Sequence, residues 1–318
     1  MFSTPSIILA RRKNGGLALV MVLWMMSLLA IIAGGFVFST RANTTLSGNL
    51  VSLAQAEALA DAGVHRAFYE MQVPRPEPER WKGDGRPHLW EYQGNVVQVI
   101  IADESAKIDI NTANDLLLKG LFLYAGLDEQ AALALLDAVL DWRDVDSLKR
   151  LHGAEAEDYI AAGRAYTPAN GRFKSIGELR QVLGMNDAIY QRISGLITVY
   201  SGQPGFNSAI ASRDLLLTLP GADLAQVDAF MGAREAILPG QQRPIFPLAQ
   251  PFHSGDSNVF SVRAEARMAD KTVFIREAVV RLSQIPGRQI SYLAWRAPGV
   301  QRQENNEGLA SLKERNGK

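Results

Sequence analysis

The sequence predicts an α+β fold in which a long N-terminal helix packs on an antiparallel sheet, and a large all-α domain interrupts that sheet. An uncharged run of 22 residues, 17–38, continues into a helical pattern that reaches Gln72. About 150 residues between the first and second predicted strands have helical patterns. Short, β-branched runs predict strands at residues 95–102, 258–267, 272–282 and 290–295.

The composition of the chain argues against several classes of function. A chain of 318 residues with 47% hydrophobic content is expected to fold as one large domain or two ordinary ones. Thirty-three Lys and Arg balance thirty-three Asp and Glu, so the chain lacks the excess positive charge of a general nucleic-acid binder. It contains no cysteine, which excludes disulfides, thiolate nucleophiles and cysteine-bound metals.

The uncharged run predicts a helix that spans a membrane once. At about 1.5 Å per residue the run is about 30 Å long, the thickness of a hydrocarbon core. Three basic residues, 11–13, precede it, so the C-terminal bulk is expected on the far side of the membrane from the cytoplasm. A secretory signal peptide is the alternative, with the small residues 33–35 as its cleavage site, but its apolar region is normally only about 7 to 15 residues.

The N-terminus resembles that of type IV pilins and pseudopilins. Gly16 stands between upstream basic residues and the apolar run, and the helical pattern continues through AEALADAGVHRA at residues 56–67. In that class the prepilin peptidase cuts after a glycine, and the new N-terminus is methylated. The resemblance implies cleavage after Gly16, with Leu17 as the first mature residue.

Motifs further along the chain resemble those of the minor pseudopilin K family of the type II secretion system. The resemblance covers about residues 16–282 and implies a pilin-like fold whose insert contains helix-hairpin-helix or SAM-like helices. In order, the motifs are DESAKIDINTA (103–113), DWRDVD (141–146), GAEAEDY (153–159), YTPAN (166–170) and IGELRQVLGM (176–185).

This resemblance implies a subunit that caps the pseudopilus tip and supports protein export across the outer membrane. It implies an inner-membrane location with the bulk in the periplasm. The expected partners are the minor pseudopilins of the I, J and H types, the major pseudopilin, the prepilin peptidase and the inner-membrane secretion platform. The expected segments are a leader (1–16), a membrane helix (17–38), a first pilin-like part (39–110), the helical insert (111–239), a second pilin-like part (240–297) and a disordered tail (298–318).

Met21 occupies a position that distinguishes tip subunits from the rest. Most pilin-like subunits carry a glutamate at the fifth mature residue, which here is Met21. A carboxylate inside the bilayer costs several kcal/mol unless a cation pairs with it, and its usual partner is the N-terminal amine of an assembled neighbour. A tip subunit has no such neighbour, so Met21 fits a tip position. The alternative is that Met21 is an ordinary lipid-facing residue of a plain anchor.

Two leucine-rich segments, 110–122 and 207–224, look like the helix-hairpin-helix motif that in other proteins binds DNA phosphates. Residues 105–235 contain twelve Lys or Arg and seventeen Asp or Glu, and this acidic excess repels a duplex. We therefore expect no nucleic-acid partner. A membrane-anchored DNA-uptake receptor and a minor pilin of a type IV pilus remain the alternatives.

Six carboxylates surround a predicted turn at Gly153 and form a candidate Ca²⁺ site, because Ca²⁺ takes about six to eight oxygen ligands. The alternative is a solvated acidic turn, because Arg143, Lys149 and Arg150 lie among the acids and the spacing is not that of an EF-hand. Calcium has been associated with the family that the chain resembles, which favours the site. The six are Asp141, Asp144, Asp146, Glu155, Glu157 and Asp158.

The sequence shows no catalytic arrangement. The four histidines do not have metal-ligand spacing, and there is no Gly-x-Ser-x-Gly elbow, phosphate-binding loop or dinucleotide fingerprint. A periplasmic enzyme would require such a site. We expect a structural protein and not an enzyme.

Overall fold

The structure is a computed structural model that describes residues 15–73, 76, 80–238, 241–283 and 290–298. It divides into two compact units, residues 1–55 and 56–318. The expected leader before residue 15 and the expected tail after residue 298 lie outside the described residues. The expected end of the insert, residue 239, also lies outside them.

The described elements are seven α-helices, seven strands and three short 3₁₀ helices, at Glu104–Ala106, Ile176–Gln181 and Pro247–Phe252. The helices are α1 (Gly15–Gln72), α2 (Asp115–Tyr124), α3 (Glu129–Arg143), α4 (Ala156–Ala161), α5 (Asp187–Ile193), α6 (Arg213–Leu216) and α7 (Leu224–Glu235). The strands are β1 (Asp84–Tyr92), β2 (Asn95–Asp103), β3 (Ile108–Asp109), β4 (Ile197–Thr198), β5 (Val259–Arg267), β6 (Val273–Leu282) and β7 (Ile290–Arg296).

The first unit consists of the N-terminal part of α1, and the prediction of one continuous helix to Gln72 is confirmed. Its most apolar window has a mean hydropathy of 2.5, and every side chain from 17 to 51 is exposed. Gly34, Gly35 and Gly48, each of which costs a helix interior up to about 1 kcal/mol, lie inside α1, which is continuous through all three. A helix of this length and composition can cross a membrane.

The second unit contains a five-stranded antiparallel sheet in the order β1-β2-β5-β6-β7. The four predicted strands are all present, and each end lies within one residue of the predicted one. The runs at 258–267 and 272–282 are separated by only four residues and were expected to form a hairpin; β5 and β6 confirm this, with Lys271 at a φ of 70° in the turn.

Residues 83–88 are rich in glycine, proline and charge and were expected to form a turn or loop, but this expectation is wrong, because residues 84–88 begin β1. Gly85 and Pro87 suggested a loop, but β1 is an edge strand. An edge strand pairs on one side only and therefore tolerates a proline, which lacks an N–H donor. Its pairing shifts register between Asp84 and Pro87, where Gly85 has a φ of 78°.

The second half of α1 lies very close to one face of the sheet at Gly63. A Cβ atom on Gly63 would lie 2.8 Å from Val97 Cγ1 in β2 and 3.0 Å from Ala264 Cβ in β5. Both neighbours are fully buried. Only a residue without a side chain permits this distance between helix and sheet.

An ion triad also holds α1 on the sheet. Arg276 of β6 places Nη2 2.6 Å from Glu57 Oε1 and Nε 2.5 Å from Asp61 Oδ1. Burial disfavours the charged guanidinium, but the hydrogen bonds to Asp61 and Glu57 outweigh that effect and raise the pKa of Arg276. The triad fixes the helix both along and around its axis.

The helical insert begins after β2 and ends before β5. Its hydrophobic core runs from Ile108 to Ala249 and so extends beyond the expected boundaries at 111 and 239. The region was expected to be helical throughout, and this expectation is wrong. Several helices have only four to seven residues, and the two-residue strands β3 and β4 pair in parallel.

The pattern of each leucine-rich segment predicts a helix that starts at an Asn, Ser or Thr residue, and both helix starts are confirmed. Asn114 Oδ1 accepts from Leu117 N at 3.0 Å at the start of α2, and Ser212 Oγ accepts from Leu215 N at 3.2 Å at the start of α6. Each side chain satisfies one of the unpaired N–H groups of a helix N-terminus. Helix α2 packs against α3, and α6 packs against α7.

We expect Gly63→Ala to lower the thermal unfolding midpoint of the full-length chain in detergent. The added methyl group overpacks the contact with Val97 and Ala264, at a cost of about 1 to 3 kcal/mol. Gly232→Ala is the matched control, since Gly232 lies inside α7 with no atom within 4 Å of its Cβ position. It should raise the midpoint, because alanine is the better helix former by about 1 kcal/mol. Equal effects of the two variants would contradict the close contact at Gly63.

Candidate functional site

Gly16, Leu17 and Met21 lie in the first two turns of α1. Leu17 and Met21 are four residues apart and therefore share one face of the helix, where both side chains are exposed. The residues before Gly15 are outside the described part of the chain. Cleavage after Gly16 and the role of Met21 therefore stay predictions.

The acidic turn lies in the helical insert, between the end of α3 and the start of α4. Asp141, in the last turn of α3, is fully buried and lies against the turn. Its Oδ2 accepts from Arg150 N at 3.2 Å, and its Oδ1 lies 3.4 Å from Arg150 Nε. A Cβ on Gly153 would lie 1.9 Å from Asp141 Oδ2, so the turn can approach this carboxylate only at a glycine.

Three of the other candidate carboxylates have partners within the turn. Asp158 Oδ1 accepts from Lys149 Nζ at 2.5 Å, and Asp144 Oδ2 lies 3.8 Å from Arg150 Nη2. Asp146 Oδ1 accepts from Leu148 N at 2.8 Å. The side chain of Glu157 is exposed. Lys149 and Arg150 therefore neutralise part of the acidic charge. This agrees with the alternative prediction, in which the acids form a solvated turn whose charge nearby basic residues compensate.

Arg143, the third basic residue near the turn, makes its hydrogen bonds elsewhere. Its Nη1 donates to Ile110 O at 2.6 Å, and its Nη2 donates to Ala113 O at 3.2 Å. Burial is the largest influence on this guanidinium and lowers its pKa. The hydrogen bonds of Arg143 thus go to backbone carbonyls before α2, but its positive charge still acts on Asp144 and opposes the rise that burial causes in the pKa of that carboxyl.

Two carboxylate oxygens of the turn are buried without a hydrogen-bond partner among the described residues, namely Asp144 Oδ1 and Glu155 Oε1. Burial, with a further contribution from neighbouring carboxylates, raises the pKa of Asp141, Asp144 and Glu155. A buried carboxylate oxygen that lacks a partner is costly. These two oxygens are available to a cation.

Among the described residues, the side chains of the acidic turn are not arranged as a complete metal site. Within the described ranges, no group of three Asp, Glu or His side chains is placed to hold a metal ion. The guanidinium of Arg150 lies between Asp141 and Asp144, where a cation would be expected. Ca²⁺ binding would therefore require Arg150 to move.

The same turn also carries apolar side chains that were not predicted from the sequence as candidate functional residues. Val145, Leu148 and Leu151 alternate with the charged residues of DVDSLKRL and are strongly exposed. Their spacing of three residues looks like one face of a helix, so the pattern alone predicts burial. The signal that could have revealed them is their position after the end of α3, where no helix continues.

Several basic side chains of the insert form ion pairs within it. Arg213 Nε lies 2.5 Å from Asp228 Oδ1 across the α6–α7 hairpin, and Arg180 Nε lies 3.4 Å from Asp187 Oδ1. Guanidinium groups engaged in this way are less available to phosphates.

The chain is similar to known proteins of the type II secretion system. The family profile described as type II secretion system (T2SS), protein K, matches residues 95–202. Type II secretion system protein K of Pseudomonas aeruginosa is 26% identical over 246 residues, which are 70% of this chain and 73% of the relative. That of Klebsiella pneumoniae is 27% identical over 242 residues, which are 68% of this chain and 73% of the relative.

A solved structure of similar fold is a chain in the crystal structure of the GspK–GspI–GspJ complex from the enterotoxigenic Escherichia coli type 2 secretion system. It is 18% identical, covers 82% of this chain and 99% of its own length, and has a TM-score of 0.56. This likeness confirms the predicted α+β fold with its long N-terminal helix. All five ordered motifs lie inside residues 95–202, so the profile match confirms the resemblance based on them.

Proposed function

The chain belongs to the type II secretion system protein K family, whose members are minor pseudopilins, and we propose that it caps the tip of the pseudopilus. The match of residues 95–202 to this family carries the proposal. The uncharged start of α1, with Met21 in place of the usual glutamate, supports the tip position. The protein acts as a structural component and not as a catalyst.

The proposed mechanism is assembly. The prepilin peptidase cleaves after Gly16, and the apolar helix holds the mature chain in the inner membrane with its bulk in the periplasm. The helix then leaves the membrane as the subunit enters the filament, and Met21 brings no carboxylate that needs an amine from a neighbour above. The insert has about 150 residues. Inside a regular filament it would clash with the next subunit, so a single copy at the end of the filament is favoured.

The proposed neighbours are other minor pseudopilins. The related GspK chain was solved in a complex with GspI and GspJ, which supports packing of this chain beside subunits of the I and J types. The family further implies an H-type subunit, the major pseudopilin, the prepilin peptidase and the inner-membrane secretion platform as partners.

We also propose that the acidic turn binds Ca²⁺. Its carboxylates are hard oxygen ligands of the kind Ca²⁺ prefers, and Asp144 Oδ1 and Glu155 Oε1 are buried without partners. Binding displaces Arg150 from Asp141 and Asp144. The remaining candidate ligands are Asp146, Glu157 and Asp158.

Replacing Gly16 with leucine should block removal of the leader, because a bulky side chain hinders the backbone at the scissile bond. We expect the precursor to accumulate, whereas the wild-type chain should begin at Leu17, as N-terminal sequencing would show. Gly34→Leu is the control for loss of a glycine from α1, since its Cβ position has no atom within 4 Å. Normal processing and secretion in Gly16→Leu would contradict cleavage at this site.

Replacing Met21 with glutamate tests the tip position, with Met25→Glu one helical turn away as the matched control. At a tip, both variants place an unpaired carboxylate in the membrane, at a cost of several kcal/mol. We expect both to reduce secretion of a native exoprotein to a similar extent. If Met21→Glu were tolerated and Met25→Glu were not, the carboxylate would have found a neighbouring amine, and the chain would not occupy the tip.

Calcium should raise the thermal unfolding midpoint of the full-length chain relative to the same sample with a chelator. A ligand at about 100 times its Kd stabilises the folded state by about 2.7 kcal/mol. Glu155→Gln should abolish most of this shift because it removes the charge of a buried candidate ligand. Glu129→Gln is the control, because Glu129 is exposed and pairs with Lys119. The absence of a calcium-dependent shift in the wild-type chain would refute the site.

A further inference from the structure

The insert and the five-stranded sheet have separate hydrophobic cores. The core of the insert extends from Ile108 to Ala249, and within the described ranges none of its buried members comes from α1 or from the five-stranded sheet. Buried sheet residues such as Val97 and Ala264 pack on α1 instead, around Gly63. Two bodies that share no hydrophobic core are expected to move relative to each other, unless another large contact joins them.

A cavity lies between the insert and the sheet on each face of the sheet. The outer cavity, of about 260 Å³, reaches Ala102 of β2, and the inner cavity, of about 610 Å³, reaches Phe260 of β5. Side chains of a strand alternate between its faces. Ala102 is an odd number of residues from Val97 and therefore lies on the face away from α1, whereas Phe260 is an even number from Ala264 and lies on the face that carries α1. The insert lines the outer cavity with Ile176, Ile197 and Thr198, and the inner cavity with Ile210, Ile245 and His253.

The two cavities leave the junction between insert and sheet poorly filled. Protein interiors are close-packed and contain few voids larger than a water molecule, which occupies about 30 Å³. Both cavities are several times larger than that. The insert therefore has room to tilt toward either face of the sheet, and a tilt that narrows one cavity widens the other.

The two points where the chain passes between sheet and insert are bound to each other. Asp103, at the end of β2, accepts from Ser257 Oγ at 2.5 Å through Oδ1 and from Ser257 N at 3.2 Å through Oδ2. Ser105 N also donates to Asp103 Oδ1, at 2.8 Å, and the carboxylate is buried. We call Asp103 and Ser257 the seam. Because the seam fixes both crossings at one place, it provides a line about which the insert can turn.

One polar contact spans each cavity. Across the outer cavity, Arg296 Nη2 of β7 donates to Tyr200 OH of the insert at 3.0 Å, and we call this contact the outer strap. Across the inner cavity, Arg243 Nη2 of the insert lies 3.2 Å from Asp84 Oδ2 of β1, and we call this contact the inner strap. Contacts between partly exposed groups are individually weak, so each strap can open and re-form.

We propose that the insert rocks as a rigid body about the seam of Asp103 and Ser257, and that the two straps limit its tilt in opposite directions. When the outer strap opens, the insert tilts toward the face that carries α1 and narrows the inner cavity. When the inner strap opens, the insert tilts the other way. The insert thereby changes its angle while the scaffold of α1 and the sheet stays unchanged. The joint goes beyond the proposed function and does not depend on it.

Distances between spin labels on the full-length chain in detergent test the proposal. The chain contains no cysteine, so cysteines introduced in pairs carry the labels. The positions are Glu91 of β1, Ile160 of α4 and Leu224 of α7, all of which are exposed. The pairs 91–160 and 91–224 cross the joint, whereas the pair 160–224 lies within the insert.

Tyr200→Phe removes the outer strap, and Arg243→Gln removes the inner strap. We expect the two variants to shift the 91–160 or the 91–224 distance in opposite directions, by more than the width of the 160–224 distribution. The 160–224 distance should stay unchanged. The absence of a shift in both variants, shifts in the same direction, or a change within the insert would each overturn the proposal.

Matched controls lose the same groups inside the insert. Tyr166→Phe removes the hydrogen bond that Tyr166 OH donates to Gln181 O at 3.2 Å, and Arg213→Gln removes the ion pair with Asp228. Both controls should leave all three distances unchanged. If a control shifted a distance across the joint as far as the strap variants do, the two straps would have no special role.

Two further variants keep the test decisive if a strap variant does not fold. Arg296→Gln breaks the outer strap from the side of the sheet, and Asp84→Asn breaks the inner strap from the same side. Each should reproduce the shift of the variant that breaks the same strap from the insert. Distances across the joint that stay at their wild-type values in both variants would show that the insert is fixed on the sheet.

Discussion

The second half of the N-terminal helix must approach the sheet closely enough for its backbone to meet the side chains of Val97 and Ala264. Gly63 makes this approach possible, and the ion triad of Arg276 with Glu57 and Asp61 sets its register. The contact joins β2 and β5, the two strands between which the insert begins and ends. The position of the helix on the sheet and the geometry of the insert's two connections therefore depend on the same few atoms.

The acidic turn has a polar inner side and an apolar outer side. Its inner side is polar and incompletely satisfied, because Arg150 compensates Asp141 while Asp144 Oδ1 and Glu155 Oε1 remain unpartnered. Its outer side is aliphatic and exposed. Both sides share one short piece of backbone. A cation that displaced Arg150 would therefore alter the support of the backbone that carries Leu148 and Leu151 directly, without a change elsewhere in the insert.

The sequence predicted those elements whose pattern is long or strongly periodic. The helix to Gln72, strand β2 and the β5–β6 hairpin were predicted, because each extends over eight or more residues with one period. Strand β1 was missed because Gly85 and Pro87 suggest a loop unless the strand is known to be at an edge. The six acids were predicted as a cluster, but tertiary contacts, which spacing does not reveal, turned Arg143 away from it and left Val145 exposed.

The pairing of Asp103, at the end of β2, with Phe260, near the start of β5, places the two points where the chain leaves and rejoins the sheet side by side. A short reverse turn there would join β2 directly to β5 and leave every strand of the sheet paired as before. The helical domain also contacts the sheet through Arg243, which pairs with Asp84 of β1. The sheet itself is complete without residues 104–258, so the length of the domain is set by its own core and not by the distance between β2 and β5.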